Sequence, residues 1–184
     1  LQAIIDFLAR KGEGTAATLA VVASNDASAG ALGRARDAGI PAETFDATDD
    51  GASLAAILER HTVDLVALAG YLKRVPASVV KAYRGRIINI HPGLLPEFGG
   101  PGMYGGRVHA AVIASGATTT GVTVHMVDDE FDRGLVIAQW RLPVRENDTA
   151  TSLAARVLTA EHVIYPRVVE MVATLAASDL SADF

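Results

Sequence analysis

Two side chains suited to acyl-transfer chemistry lie two residues apart near the middle of the sequence. Asn89 and His91 occur in RIINIH, an apolar run that reads as a strand and is followed by proline and glycine. Because side chains two apart in a strand point to the same face, both can enter one crevice. An amide N–H stabilises a developing oxyanion, and an imidazole transfers protons near neutral pH. The pair predicts a site at the end of this strand.

An acidic run in the segment VDDEFDRG is the second group of interest. Its carboxylates belong to Asp128, Asp129, Glu130 and Asp132. A carboxylate from this run could orient the imidazole of His91 or favour its protonated form. Asparagine, histidine and aspartate together are typical of acyl transfer, here without a serine or cysteine nucleophile.

Other interpretations of these residues stay open on spacing alone. An asparagine two residues before a histidine at a strand end is also a common turn and capping pair, and acidic runs are commonly solvated turns. A zinc or iron site is a further alternative, because imidazole and carboxylate bind both metals. Its ligands would be His91, His125, Asp128 and Asp132. His125 alternates with apolar residues, so a place in the core or at the surface explains it equally well.

Strands and helices alternate through the first half of the chain. The apolar runs at 17–25 and 63–70 indicate strands covered on both faces, and 42–46 and 86–90 indicate shorter strands. Helices are predicted between them at 1–11, 30–38, 53–61 and 76–83. Such alternation predicts an α/β fold with a doubly wound, mostly parallel, Rossmann-like sheet. Ligands of such folds lie beyond the carboxyl ends of the strands.

The pattern changes after the strand predicted at 86–90. Residues 91–106 hold six glycines and three prolines, which predicts a long shaped loop. Alternating apolar residues predict an antiparallel extension of the sheet near the carboxyl end, formed by strands at 121–129 and 135–144. Helices are predicted at 108–114 and 151–177, the second bent or split at Pro166.

Composition narrows the class of protein. A chain of 184 residues predicts a single domain over 1–184. The net charge of −5 argues against a nucleic-acid partner, and the apolar runs are too short to cross a membrane. The absence of cysteine fits a reducing cytoplasm, so we expect a soluble cytoplasmic protein, monomeric or homodimeric, with small-molecule ligands.

Two segments, RIINIHPGLLPEFGGPGMYG and TGVTVHMVDDEFDRGLVIAQ, together resemble the phosphoribosylglycinamide formyltransferase family, folate-dependent enzymes of purine synthesis. The resemblance extends from LQAII through AGYLKRVP to AEHVIYP. A methionyl-tRNA formyltransferase would show an RGAAPI-like stretch after LLP and a large additional carboxyl-terminal domain. This sequence has neither.

The resemblance implies a reaction and assigns roles in it. Asn89, His91 and Asp132 match the family's catalytic residues. They would transfer a formyl group from 10-formyltetrahydrofolate to the amine of phosphoribosylglycinamide, without a metal and without a covalent enzyme intermediate. Asn89 and a protonated His91 would stabilise the oxyanion, and Asp132 would favour the imidazolium and help to move a proton.

Binding residues are implied in the same way. Those that match folate-binding positions are Leu72, Lys73, Arg74 and Val75, Asn89, and Val127, Asp128, Asp129 and Glu130 of the acidic loop. Glu161 matches a carboxylate near the glycinamide ribonucleotide. For Lys73, Arg74 and Glu161, an ordinary exposed position on a helix is the alternative.

The sequence departs from the family at three places, one of them the lack of an Arg or Lys between Phe45 and Arg60, where the family often places a basic folate contact. The family begins with a strand and a Gly/Ser/Asn-rich phosphate loop before the LQAII helix, whereas this sequence starts at Leu1, so we expect that strand and loop to be missing. The loop at 97–106 is longer than in familiar members. The alternatives are therefore another folate formyl enzyme, such as a deformylase or a relative of methionyl-tRNA formyltransferase, or a folate-binding module without catalysis.

Overall fold

The computed structural model describes residues 1–181, which contain six α-helices, one short 3₁₀ helix at Gly12–Gly14 and six β-strands. In chain order the elements are α1 (Gln2–Lys11), β1 (Val22–Ser24), α2 (Gly30–Asp37), β2 (Ala42–Thr44), α3 (Ala52–Arg60), β3 (Val66–Leu68), α4 (Ala77–Ala82), β4 (Ile87–His91), α5 (Gly106–Ala114), β5 (Thr119–Met126), β6 (Val136–Pro143) and α6 (Ala150–Ser181).

The chain divides into two compact units. The first contains Leu1–Val66, Arg74–Arg86 and the chain from Glu170 onward, and the second contains Ala67–Lys73 and Ile87–Val169. The single domain expected over 1–184 stays a prediction.

The first unit contains the parallel pair of strands. β1 and β2 pair in parallel, with Val22 opposite Ala42, and α2 connects them. Leu32 and Ala35 of α2 are fully buried, as a crossover helix that packs on its strands requires. The strand predicted at 17–25 is confirmed only at 22–24, because its hydrogen-bonded partner β2 is itself three residues long.

The second unit contains the antiparallel part. The four-stranded sheet has the order β3-β4-β5-β6, and both β4–β5 and β5–β6 pair antiparallel. The mixed α/β class, with parallel strands and an antiparallel part, is therefore confirmed. The antiparallel part is larger than the predicted extension, since β4 belongs to it. The alternation of the sequence indicates strands but does not give the direction in which a distant strand pairs.

A continuous apolar cluster covers one side of this antiparallel part. It joins Val108 and Val112 of α5, Val122 of β5, and Leu153 and Val157 of α6, all completely buried. The predicted split at Pro166 is absent, and α6 runs through this residue. Tyr165 beside it is buried, and its hydroxyl lies 2.8 Å from the Leu68 carbonyl oxygen. Packing on the helix outweighs the lost backbone hydrogen bond.

Among the helices of residues 1–181, none is both long enough and apolar enough to cross a bilayer.

Candidate active site

Strand register brings three polar side chains to one face of the sheet. Asn89 of β4 lies opposite His125 of β5, and His91 lies opposite Thr123. Paired residues of antiparallel strands share a face, so the alternation that points Asn89 and His91 to one side also points His125 there. Both imidazoles are almost completely buried, with 3% exposure for His91 and 2% for His125.

Asp132 completes the cluster from the loop between β5 and β6. Its Oδ2 lies 3.6 Å from Nδ1 of His91, and its Oδ1 lies 3.5 Å from Nε2 of His125. The residue has a positive φ of 56°, a conformation that aspartate tolerates better than most residues. One carboxylate therefore faces two imidazoles.

Hydrogen bonds set the orientation of the Asn89 amide. His125 Nδ1 lies 2.8 Å from the carbonyl oxygen of Met126, which can only accept, so this nitrogen carries a proton. His125 Nε2 lies 3.2 Å from the Asn89 Nδ2 amide group and 3.5 Å from Asp132 Oδ1. The amide has a second N–H, which is available to a ligand oxygen.

The backbone of the glycine-rich loop contacts both His91 and Asp132. His91 Nε2 donates to the carbonyl oxygen of Phe98 at 2.7 Å, and the Gly100 N–H donates to Asp132 Oδ2 at 2.9 Å. Thus Nδ1 of His91 is the nitrogen that faces Asp132.

Burial and charge act in opposite directions on the pKa of His91. Burial lowers its pKa below the ordinary histidine value, while the Asp132 charge and the Phe98 carbonyl oppose that shift. For Asp132, burial acts to raise the pKa, but hydrogen bonds from His125 and Gly100 and the charge of His91 outweigh it. The pKa of Asp132 is therefore below the ordinary aspartate value. The carboxylate of Asp132 therefore stays ionised at neutral pH, and burial favours the neutral imidazole of His91.

Thr123 fixes the chain that leaves β4. Its hydroxyl donates to the Gly93 carbonyl at 2.7 Å and accepts the N–H of Leu95 at 3.1 Å. The amide of Gln139, from β6, donates to the same hydroxyl and to the Leu95 carbonyl, each at 3.0 Å. Residues 93–95 are thus held by side chains of two neighbouring strands.

Most of the predicted folate-binding residues lie on exposed segments. Leu72 is 63% exposed, and Lys73 and Arg74 are also exposed, whereas Val75 is buried and can offer a ligand only its backbone. The acidic segment contains the exposed Asp128, Asp129 and Glu130 and the half-buried Val127. Among the described contacts, Leu72, Lys73, Asp128 and Glu130 make no hydrogen bond or ion pair to Asn89, His91, His125 or Asp132.

Glu161 of α6 is half-buried. Burial raises its pKa from the ordinary glutamate value to about 7. A carboxyl group with this pKa is partly protonated at neutral pH and can both donate and accept a hydrogen bond.

The alternative metal site would require Asp128 as one of its ligands. Asp128 is exposed, and its carboxylate accepts the N–H of Glu130 at 2.9 Å. Among residues 1–181, no three His, Cys, Asp or Glu side chains are arranged to hold a metal ion.

The sequence leaves open the side to which His125 points and gives no role to Phe98 or Gly100. His125 alternates with apolar residues on a predicted strand, but the partner of that strand cannot be read from the sequence. For Phe98 and Gly100 the contacts are made by backbone atoms, so their side-chain types carry no signal.

The fold and this cluster agree with a known protein family. The formyl transferase family model matches residues 1–169, and the chain belongs to this family. Phosphoribosylglycinamide formyltransferase of Escherichia coli K12 is 39% identical over 175 residues, covering 92% of this chain and 79% of that protein. The chloroplastic enzyme of the same name from Vigna unguiculata is 48% identical over 156 residues.

Solved structures agree with these relatives. The crystal structure of phosphoribosylglycinamide formyltransferase from Anaplasma phagocytophilum matches with a TM-score of 0.85 and 36% identity, covering 94% of this chain and 80% of that one. The chain spans about half the length of the two plant relatives, 50% of the Vigna unguiculata protein and 53% of the Arabidopsis thaliana protein.

Proposed function

We propose that this protein transfers the formyl group of 10-formyltetrahydrofolate to the amine of 5'-phosphoribosylglycinamide. The products are formylglycinamide ribonucleotide and tetrahydrofolate, as in de novo purine synthesis. The observation that carries the proposal is the cluster in which Asp132 faces the buried His91 and His125, and in which Asn89 contacts His125. Relatives that carry the enzyme's name support it.

The groups of the cluster fit a formyl donor. Such a donor supplies an activated carbonyl, whose oxygen gains negative charge when an amine attacks. Asn89 offers an amide N–H and His91 offers an acidic N–H when protonated, which are the donors that stabilise an oxyanion. Asp132 favours the protonated imidazole by its charge at 3.6 Å.

Proton transfer is assigned to the same residues. The attacking amine becomes positively charged and must lose a proton, while N10 of the folate must gain one as its bond to the formyl carbon breaks. His91 and Asp132 move this proton, directly or through water. No residue forms a covalent bond to the formyl group.

Binding of the two substrates is assigned to the surrounding segments. Folate is bound by the Leu72–Val75 stretch and by the Val127–Glu130 segment, with Asn89 at the formyl end. Glu161, whose pKa is about 7, hydrogen-bonds the ribonucleotide. The catalytic unit is a single formyltransferase domain, and its ligands are small molecules rather than nucleic acids or membranes.

The test is an assay of formyl transfer with both substrates, followed by the appearance of tetrahydrofolate and of the formylated ribonucleotide. We expect stoichiometric formation of the two products. His91→Ala should abolish turnover with little loss of folate binding. Release of formate with water as the acceptor would instead indicate a deformylase. Folate binding without turnover would indicate a non-catalytic module.

A further inference from the structure

The glycine-rich loop after β4 supplies no group to the proposed reaction. Its backbone nevertheless contacts both His91 and Asp132. The Phe98 carbonyl accepts from His91 Nε2 at 2.7 Å, and the Gly100 N–H donates to Asp132 Oδ2 at 2.9 Å. Only one residue, Gly99, separates these two contacts. A short segment of backbone thus holds the base and the carboxylate at fixed places.

The contact with the Phe98 carbonyl determines which nitrogen of His91 carries the hydrogen in the neutral ring. A carbonyl oxygen can only accept, so the 2.7 Å contact keeps a hydrogen on Nε2 in both the neutral and the charged ring. In the neutral ring Nδ1 then carries a lone pair, which faces Asp132 Oδ2 at 3.6 Å. Protonation at Nδ1 replaces this repulsion with an attraction.

We propose that the Phe98–Gly100 backbone is a positioning element that fixes His91 with its Nε2–H on the Phe98 carbonyl, so that the ring gains and loses its proton at Nδ1, beside Asp132. This inference rests on the proposed function for its effect on turnover. The position of the proton on the ring can be measured without turnover.

Packing around Gly99 explains why this position has no side chain. A Cβ built there would lie 3.0 Å from Cβ of Asp132 and would press against the side chain of Leu95. Any larger residue must displace the segment from Asp132 or displace Asp132 itself. Gly106, the first residue of α5 after the same loop, offers a control, because a Cβ there meets nothing within 4 Å and its φ is not positive.

The first experiment is nitrogen-15 NMR of the histidine rings in the unsubstituted protein, titrated from acid to alkaline pH. The titratable groups that face His91 are Asp132, His125 and the buried His109. The NMR signals of His91, His109 and His125 must therefore all be assigned. We expect the neutral form of His91 to carry its hydrogen on Nε2. A neutral ring protonated on Nδ1 would overturn the proposal, whether or not the protein transfers formyl groups.

The second experiment compares Gly99→Ala with Gly106→Ala. We expect Gly99→Ala to lower kcat by about 10- to 100-fold, since small displacements of reacting groups have effects of this size, while substrate dissociation constants change less than about twofold. Gly106→Ala should keep the parental kcat.

The pH profile of kcat separates positioning from general loss of structure. The proposed reaction needs Asp132 ionised and His91 protonated. In Gly99→Ala, loss of the Gly100 hydrogen bond raises the pKa of Asp132, and loss of the Phe98 contact lowers the pKa of His91. The pH range over which kcat is high should therefore narrow at both its acid and its alkaline limit. An unchanged profile and an unchanged kcat in folded Gly99→Ala would overturn the proposal. Absence of formyl transfer in the parent protein, with the Nε2–H form observed by NMR, would overturn only the proposed function.

Discussion

Asp132 is the residue on which the electrostatics of the site depend. It is the one carboxylate of the cluster, and it lies within 3.6 Å of His91 and 3.5 Å of His125. The ionised carboxylate of Asp132 favours the protonated form of the buried imidazole of His91 by its charge. Removing the charge should therefore affect the reaction more than the fold.

We predict that Asp132→Asn lowers kcat by about 10²- to 10⁴-fold, the range typical for groups that assist proton transfer. The amide is close in size to the carboxylate but cannot stabilise the imidazolium by charge. Steady-state kinetics of formyl transfer would measure this loss. Glu146→Gln, an acid-to-amide change at an exposed position, is the control and should keep the parental kcat. A similar loss in both variants would contradict the role of Asp132.

The raised pKa of Glu161 predicts that the stability of the fold depends on pH. Burial raises its pKa to about 7 from an ordinary value of 4.5, so the folded state favours the protonated form. The stabilisation of the fold by the protonated Glu161 carboxyl is fully present below pH 4.5 and is lost as the pH rises through 7. Glu161→Gln should leave the melting temperature unchanged at low pH. At pH 8 it should stabilise the fold by about 1–2 kcal/mol, allowing for partial exposure to water.

Thermal unfolding of the parent and of Glu161→Gln between pH 4.5 and 8 would test this. A difference in melting temperature that does not grow with pH would contradict a raised pKa. The conservative exchange of Glu13 for Gln, at an exposed position of the first unit, serves as the reference.

At the scale of elements, β5 contains two fully buried threonines with opposite hydrogen-bonding states. Thr123 makes three hydrogen bonds, to Gly93, Leu95 and Gln139. Within the described residues the Thr120 hydroxyl has no hydrogen-bond partner. Valine has nearly the same shape as threonine, so one substitution at each position isolates the hydroxyl.

We predict that Thr123→Val lowers the free energy of unfolding by about 2–4 kcal/mol, because it leaves buried partners unsatisfied. Thr120→Val should be neutral or stabilising by about 1 kcal/mol, because it removes a buried polar group that has no partner. Denaturant unfolding of both variants measures the difference. Equal losses would show that the hydroxyl of Thr123 does not hold the chain after β4.

The sequence predicted the elements better than their pairing. Helical periodicity and end signals located α2 and α3 within two residues, and the alternation of 121–129 located β5. What periodicity cannot give is the antiparallel register of β4 with β5. That register depends on contacts between residues 36 positions apart, such as Asn89 and His125.

At the scale of the whole molecule, the chemistry requires both substrates to be bound together. The chain has no cysteine, and the cluster offers an amide, two imidazoles and a carboxylate. We predict direct transfer, so that initial rates measured against one substrate at several concentrations of the other give intersecting double-reciprocal lines. Parallel lines, or formyl-labelled protein trapped without the acceptor, would instead indicate a covalent intermediate.

The sequence by itself determined the mixed α/β class, the places of most helices and strands, and the pair Asn89 and His91 on one face of a strand. Residue types and local periodicity suffice for these, because each depends on neighbours along the chain. Only the tertiary structure decided that His125 joins Asn89, that Asp132 lies between two imidazoles, and that the backbone at Phe98 and Gly100 holds both reacting groups. These contacts join distant segments, several of them through backbone atoms whose positions no residue type specifies.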